Sequence, residues 1–230
     1  MTNSQHTEKY CSYFEKQIEQ IQKLNDRLHK KVLLLVLLDA LSRARYPDDK
    51  GHKARFINVV KNHIQWKDSS RVSLCRILQL SQPHNLTKLG AFASESIGRW
   101  KDWELPDISA DPLMEKINVL AVNEQERKLV QDSTHLNLLY TYRNHLIHEF
   151  REPGAGMEMD QQDTVPYYHR MTHLSLTESD ERETWELVYP LGFFVTLTES
   201  CLLKLKQHLL QNDLNPYSFY KFGTVWQVRI

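Results

Sequence analysis

The sequence predicts a mainly α-helical protein, a helical bundle that carries a small β-hairpin shortly before its last long helix. Residues 7–45 contain no proline or glycine, and apolar residues recur there at the three- and four-residue spacing of a helix. Residues 165–189 instead alternate aromatic or β-branched side chains with polar ones, which is typical of strands. Residues 191–210 return to helical spacing.

Length and charge suit one globular domain without a strongly charged surface. The 230 residues, 41% hydrophobic and 25% charged, can bury a core without disulfides or metal. We therefore expect a single domain over residues 1–230, with a hairpin insertion at 157–190 and an aromatic C-terminal tail at 214–230. Lysine plus arginine equals aspartate plus glutamate, at 29 each, so a site for a polyanion must be local.

Cysteine usage and the N-terminal residues predict a soluble, cytoplasmic protein. Cys11, Cys75 and Cys201 are far apart in sequence, which favours buried free thiols in a reducing compartment. Residues 1–8 lack the apolar core of a signal peptide. The longest apolar run, Val32–Leu38, is well short of the roughly 20 residues that span a bilayer. No membrane partner is expected.

The first half of the chain predicts helices in sequence order. A stripe of apolar side chains marks the first helical region: Tyr10, Phe14, Ile18, Ile21, Leu24 and Leu28. From Val32 the helix is apolar on every side, as in the centre of a bundle, and Asn25-Asp26 either divides this region or lies within it. Further helices are predicted at 52–66 and 72–80.

The second half predicts one long helix, the hairpin and a final helix. Asp111-Pro112 resembles a cap followed by proline at the first helical position, which would open a short helix. Asn123 and Glu126 resemble a capping box, which would start a helix of about 28 residues ending near Phe150. The tail after the final helix would either form a strand against the hairpin or cover a neighbouring surface.

The strongest candidate for chemistry lies at the end of that long helix, in Arg143-Asn144-x-x-x-His148. Tyr140, Asn144 and His148, each four residues apart, would form one stripe on an α-helix. Arg143 and His148, five apart, would be offset by about 140°. A long guanidinium arm, a bent helix end or a second subunit would be needed to bring them together.

These residue types suit phosphodiester chemistry without a metal. Histidine can exchange a proton near neutral pH. Arginine can hold a phosphate and stabilise the charge that develops on its oxygens. The alternative is purely structural: Arg143 faces solvent, Asn144 caps a neighbouring group and His148 packs near the negative end of the helix dipole.

The pattern Arg-Asn-x3-His, preceded by Tyr140 and followed by an acidic residue and a stop, resembles the HEPN superfamily. The resemblance covers about residues 7–151 and 191–210, and it implies an antiparallel bundle of four or five helices. Many members of that superfamily are metal-independent ribonucleases. The resemblance implies attack of a ribose 2′-hydroxyl on the adjacent phosphate, with His148 as general acid or base, Arg143 as phosphate clamp and Asn144 as positioner.

The resemblance also implies partners. It predicts an RNA substrate, a homodimer whose cleft contains both copies of the motif, and an antitoxin or regulatory protein in a toxin–antitoxin or phage-defence system. No cofactor and no metal are expected. One position departs from the pattern: toxins of the superfamily often carry tyrosine two residues after the histidine, whereas this chain has Phe150.

Four further residues are candidates for supporting the motif: Asp39, Tyr140, His145 and Glu149. Asp39 follows seven apolar residues, so it either orients Arg143 across the bundle or marks the point where its helix reaches solvent. His145 lies either beside the cleft or on the plain surface. Glu149 could pair with Arg143 or Arg151.

Basic residues around the first turn region are weaker candidates for contacting an RNA backbone. They are Arg43, Arg45, Lys53 and Arg55, and a solvated face is the alternative. Two other functions also stay open for the whole chain. One is a catalytically inactive HEPN-like module that binds nucleotide, RNA or a protein, and the other is a helical regulatory protein in which the motif is coincidental.

Overall fold

A computed structural model of the chain describes residues 1–49, 51–81, 83–101, 103–154, 156–159, 163–173 and 182–219. The described part is mainly α-helical, and a two-stranded antiparallel hairpin precedes the last long helix, which confirms the predicted fold class. The contacts divide the chain into two units. The first unit comprises residues 1–64 and 197–230, and the second comprises residues 65–196.

The first unit contains α1 (Asn3–Gln22), α2 (Arg27–Arg45), α3 (His52–Asn58), a π turn (Val59–Ile64) and most of α9 (Leu191–Gln211). The predicted first helical region is divided at Asn25-Asp26, because the Asp26 carboxylate accepts from the His29 backbone N–H at 2.8 Å and caps α2. The core of this unit includes Phe14, Ile18, Leu34, Leu38, Phe56 and Leu205.

The second unit contains five short helices, a second π turn and the hairpin. The helices are α4 (Leu74–Ser81), α5 (Thr87–Ile97), α6 (Met114–Asn118), α7 (Glu124–Asp132) and α8 (His135–Asn144), and the π turn is His145–Glu149. Val72, Leu74, Ile77, Leu89 and Val130 belong to one buried apolar cluster in this unit. Such a cluster supplies the hydrophobic driving force that short helices lack alone.

The hairpin pairs β1 (Tyr167–His173) with β2 (Arg182–Val188), in a register that sets Tyr167 opposite Val188. At the start of β1 and the end of β2 both faces of the hairpin are buried, since Tyr167, Tyr168 and Val188 are each at most 3% exposed. The predicted polar turn between the strands and most of the predicted C-terminal tail lie outside the described residues.

The predicted long helix from Asn123 to Phe150 was wrong in its length. Asn123 does cap a helix, since its side chain accepts from the Glu126 backbone N–H at 2.8 Å. The helix breaks at Ser133-Thr134 because the Ser133 carbonyl accepts from the backbone N–H of Ser73 at 3.0 Å. A tertiary strand-like contact between Val72 and Thr134 therefore interrupts the helix for two residues.

None of the helices in the described part of the chain combines the length and the apolar composition that crossing a bilayer requires.

Candidate functional site

The motif lies where α8 changes from an α-helix into a π turn. Residues 145–149 form hydrogen bonds to the fifth residue along the chain instead of the fourth. Phe150 then ends the turn in the left-handed conformation, with φ 53° and ψ 38°. In a π turn, residues five apart take the neighbouring position that residues four apart take in an α-helix.

This change of helix type brings the arginine and the histidine of one chain together. The Arg143 Nη1 atom lies 3.5 Å from His148 Nε2, and the same Nη1 donates to Asn144 Oδ1 at 3.0 Å. The guanidinium carbon lies 6.0 Å from the centre of the Tyr140 ring. Tyr140, Arg143, Asn144 and His148 therefore form one cluster, named the motif cluster below.

The contact between Arg143 and His148 constrains the imidazole. A guanidinium group can only donate hydrogen bonds, so Nε2 of His148 faces it as the acceptor. The ring proton of the neutral form is then assigned to Nδ1. Nε2, the ring nitrogen that lies beside the cation, is accordingly the one that can accept a proton.

Burial differs sharply across the motif cluster. Arg143 is 7% exposed, Asn144 is half-buried and His148 is exposed. A guanidinium in a water-poor environment attracts an anion more strongly than one in bulk solvent. The cluster thus offers a largely buried cation beside an imidazole that a large molecule in solution can reach.

The assumption that the whole motif lies on a regular α-helix was wrong, and with it the offset of about 140°. Of the three ways to bring Arg143 and His148 together, the structure contains an altered helix end together with a reaching guanidinium arm. The angular argument for a second subunit therefore no longer applies, and the homodimer stays a prediction from the resemblance.

The acidic residue after the histidine is held away from Arg143 by two other groups. Glu149 Oε1 lies 2.9 Å from His145 Nδ1, and its Oε2 lies 2.5 Å from Arg151 Nη2. The hydrogen bond from His145, together with the charge of Arg151, lowers the pKa of Glu149. Of the two predicted partners of Glu149, Arg151 is the one that it contacts.

A part-buried hydrogen bond that sequence reasoning missed fixes the segment after the π turn. The Tyr142 hydroxyl donates to Glu152 Oε2 at 2.6 Å. Burial, and next the charge of Glu152, raise the pKa of Tyr142 well above its usual value, so the hydroxyl keeps its proton. The Tyr142 ring also stacks on Phe194 at 5.7 Å. The sequence did indicate a tyrosine on the core face of α8, but residue spacing could not predict that its hydroxyl binds Glu152.

The remaining candidate residues lie in the first unit. Asp39 is half-buried in α2, and its backbone carbonyl accepts from Ser42 Oγ at 2.7 Å. Its predicted role toward Arg143 stays a prediction.

The four basic candidates have different surroundings. Arg43 and Lys53 are exposed. Arg45 Nε donates to His63 Nδ1 at 3.2 Å, and Arg55 Nη1 donates to the Asp49 carbonyl at 2.9 Å. Arg55 therefore holds the loop before α3, and the predicted contact of all four residues with an RNA backbone stays a prediction.

Sequence reasoning also missed a buried polar network in the second unit. Asp111 does not cap a helix as predicted; α6 begins at Met114, and the Asp111 carboxylate is buried. Its Oδ1 accepts from the Leu74 backbone N–H at 3.0 Å. Its Oδ2 lies 2.6 Å from both His135 Nε2 and the Tyr168 hydroxyl. We call Ser73, Asp111, His135, Tyr168 and Tyr189 the Asp111 network.

The Asp111 network joins distant parts of the chain and is closed to solvent. Tyr168, which donates its single proton to Asp111, accepts from Ser73 Oγ at 2.8 Å. The Tyr189 hydroxyl lies 3.3 Å from the His135 carbonyl. Tyr168 and His135 are 0% exposed, and Asp111 is 1% exposed. These residues are 24 to 95 positions apart in pairs, so no sequence spacing could have indicated them.

Within the described residues, no group of three or more histidine, cysteine, aspartate or glutamate side chains is arranged to hold a metal ion. All three cysteines are free thiols, and burial raises the pKa of Cys11 to about 11. Comparison of the chain with protein-family models, with curated proteins and with solved structures finds no match.

Proposed function

We propose that this chain is a metal-independent endoribonuclease of the HEPN type. The observation that supports the proposal best is the approach of Arg143 Nη1 to His148 Nε2, 3.5 Å apart, with Asn144 bound to the same guanidinium nitrogen. The resemblance of the motif to the HEPN pattern supplies the reaction class and the roles of the side chains, and the short distances between them support those roles.

Arg143 is the phosphate clamp in this proposal. Its guanidinium is largely buried, so its charge is poorly screened by water and can stabilise the negative charge that builds on the phosphate oxygens. Asn144 Oδ1 accepts one of its hydrogens at 3.0 Å and so limits the rotation of the group. Asn144 acts as a positioner of Arg143.

His148 is the general base and then the general acid. Its Nε2 would take the proton of a ribose 2′-hydroxyl as that oxygen attacks the adjacent phosphorus. The phosphorus bond to the 5′-oxygen of the next nucleotide then breaks, and the imidazolium returns a proton to that oxygen. The products are a 2′,3′-cyclic phosphate and a 5′-hydroxyl. DNA lacks the 2′-hydroxyl and would not react by this route.

The setting we propose is a toxin–antitoxin or phage-defence system, on the resemblance alone. An RNA substrate, a second copy of the chain and an antitoxin or regulatory protein would be its partners. Expression of the wild-type chain in growing bacteria would then arrest growth, and expression of the His148→Ala variant would not.

The direct test is incubation of the purified protein with total RNA in excess EDTA, beside the His148→Ala variant. His84→Ala is the matched control, because it removes an exposed imidazole outside the motif. Wild type and the control should cleave, and His148→Ala should lose about 10²-fold or more in rate. Cyclic phosphate at the new 3′ ends identifies the chemistry.

RNA that stays intact with the wild type, the control and the His148→Ala variant alike would contradict the proposed nuclease activity. If labelled RNA were bound but never cut, the catalytically inactive binding module would take its place.

A further inference from the structure

We propose that a single chain carries a complete catalytic pair, and that the π turn at His145–Glu149 is what assembles it. The inference rests on the proposed function and concerns how its site is built. It departs from the alternative in which a second subunit brings its arginine to the histidine.

The helix type decides which residues share a face. On an α-helix, Arg143 and His148 would be offset by about 140°, so the imidazole would turn away from the guanidinium. The π turn inserts the extra residue that returns the fifth position to the same side. The observed distance of 3.5 Å between Nη1 and Nε2 is the result within one chain.

Contacts from the same stretch of chain hold the π turn in place. Leu146, in the middle of the turn, is 0% exposed and anchors it in the core. Beyond the turn, Glu152 Oε2 accepts a hydrogen bond from the Tyr142 hydroxyl at 2.6 Å. Phe150 adopts φ 53°, which an L-residue with a bulky side chain enters at a cost, so the surrounding contacts must over-determine this turn.

The proton transfers of the reaction close within this pair. One imidazole nitrogen takes the 2′ proton while the 2′-oxygen–phosphorus bond forms, and it returns a proton to the 5′-oxygen as the second bond breaks. A phosphate held by Arg143 lies beside that same nitrogen, since Nη1 and Nε2 are neighbours. The protons balance with one imidazole, and the reaction needs no oxidant or further co-reactant.

Subunit mixing tests the inference. The Arg143→Gln and His148→Ala variants are purified separately, unfolded together and refolded as a mixture, and RNA cleavage is measured against the wild type refolded in the same way. If the pair is built within one chain, every chain of the mixture lacks one member, and the cleavage rate stays at the level of the separate variants.

A pair built between chains predicts recovery instead. Half of randomly assembled dimers would be mixed, and each would hold one intact site, so recovery to about a quarter of the wild-type rate would overturn the inference. Circular dichroism of each variant shows whether it has refolded. A wild type that cleaves no RNA at all would instead contradict the proposed nuclease function.

A second measurement does not depend on activity. The imidazole resonances of His148 are assigned by NMR, and their change on Arg143→Gln is followed as the protein is diluted to a monomer, with sedimentation as the check. The structure predicts that this change persists in the monomer, because the two groups contact each other within one chain. A change that disappears on dilution, or is never present, would overturn the inference.

Discussion

Removing the carboxylate of Asp111 should destabilise the second unit more than any surface substitution. Asp111→Ala leaves three buried donors without their acceptor: the Leu74 backbone N–H, the ring N–H of His135 and the Tyr168 hydroxyl. A buried donor left unsatisfied costs about 1–3 kcal/mol. The Tyr168 hydroxyl can donate to Ser73 Oγ, 2.8 Å away, instead, so the cost of losing its bond to Asp111 lies at the low end of that range. We expect the free energy of unfolding to fall by about 5 kcal/mol.

Urea denaturation followed by tryptophan fluorescence measures this loss. Trp66, Trp100, Trp103 and Trp185 lie in the second unit, and Trp100 packs at 4.9 Å from Tyr168, so the signal reports on the network. Tyr168→Phe is the matched control, because it removes one donor and leaves the carboxylate with two. It should cost about 1–2 kcal/mol. If Asp111→Ala unfolds within 1 kcal/mol of the wild type, the network is not what holds these segments together.

Three further predictions follow from the π turns and from buried His63. Burial, and next the charge of Arg45, lower the pKa of His63 to about 4, so on acidification the unfolded state binds a proton on this residue before the folded state does. The contribution of neutral His63 to the free energy of unfolding is therefore fully present above pH 6.5, and it falls by about 3 kcal/mol as the pH drops to 4. His63→Gln, which keeps an acceptor for Arg45, should remove that slope in urea midpoints measured between pH 4 and 7, and an unchanged slope would assign it to other groups. Phe150→Asn should raise the free energy of unfolding by about 1 kcal/mol, because asparagine tolerates the left-handed region, whereas Phe150→Ala should not raise it. Equal urea midpoints for the two variants would contradict backbone strain at position 150. Deleting His145 should turn the π turn into an α-helix and leave the present His148 four positions after Arg143, on the same face, so the rate of RNA cleavage should stay within about 10-fold of wild type. An alanine inserted after His145 should lower the cleavage rate by about 10²-fold or more. A deletion variant slower than the insertion variant would contradict the role of the turn.

Local signals predicted the elements that depend only on neighbouring residues. The stripe through Phe14 and Ile18 lies on the buried face of α1, and the alternation around Tyr167 lies in β1. Asp26 caps α2 as a short polar side chain can. These are effects of periodicity and of hydrogen bonds within three residues, which the sequence carries directly.

Effects of distant residues could not be predicted in this way. Nothing between Asn123 and Phe150 opposes a continuous helix; the break at Ser133-Thr134 comes from the stretch around Ser73, sixty positions earlier. Asp111 was assigned to a cap because aspartate before proline usually serves there. Its true partners, His135 and Tyr168, lie far along the chain.

The π turn was hidden for a different reason. Leu139, Tyr142 and Leu146 recur at spacings that fit an α-helix, and all three are buried. The extra residue is accommodated only at the helix end, where no further apolar repeat follows to reveal a change of register. The residues of the candidate site could therefore be named from the sequence, whereas their contact within one chain could not.

The two π turns in the described part of the chain differ in how well they suit the proposed RNA chemistry. Each has a histidine as its next-to-last residue, His63 or His148, and each histidine contacts an arginine, at 3.2 Å and 3.5 Å. His63 is 8% exposed and its pKa is lowered to about 4, so at neutral pH its imidazole is uncharged and no large substrate reaches it. His148 has the same arrangement at the surface. The arginine–histidine contact alone therefore does not distinguish the proposed site. Of these two described π turns, the one with Arg143 and His148 combines an exposed imidazole with a buried guanidinium.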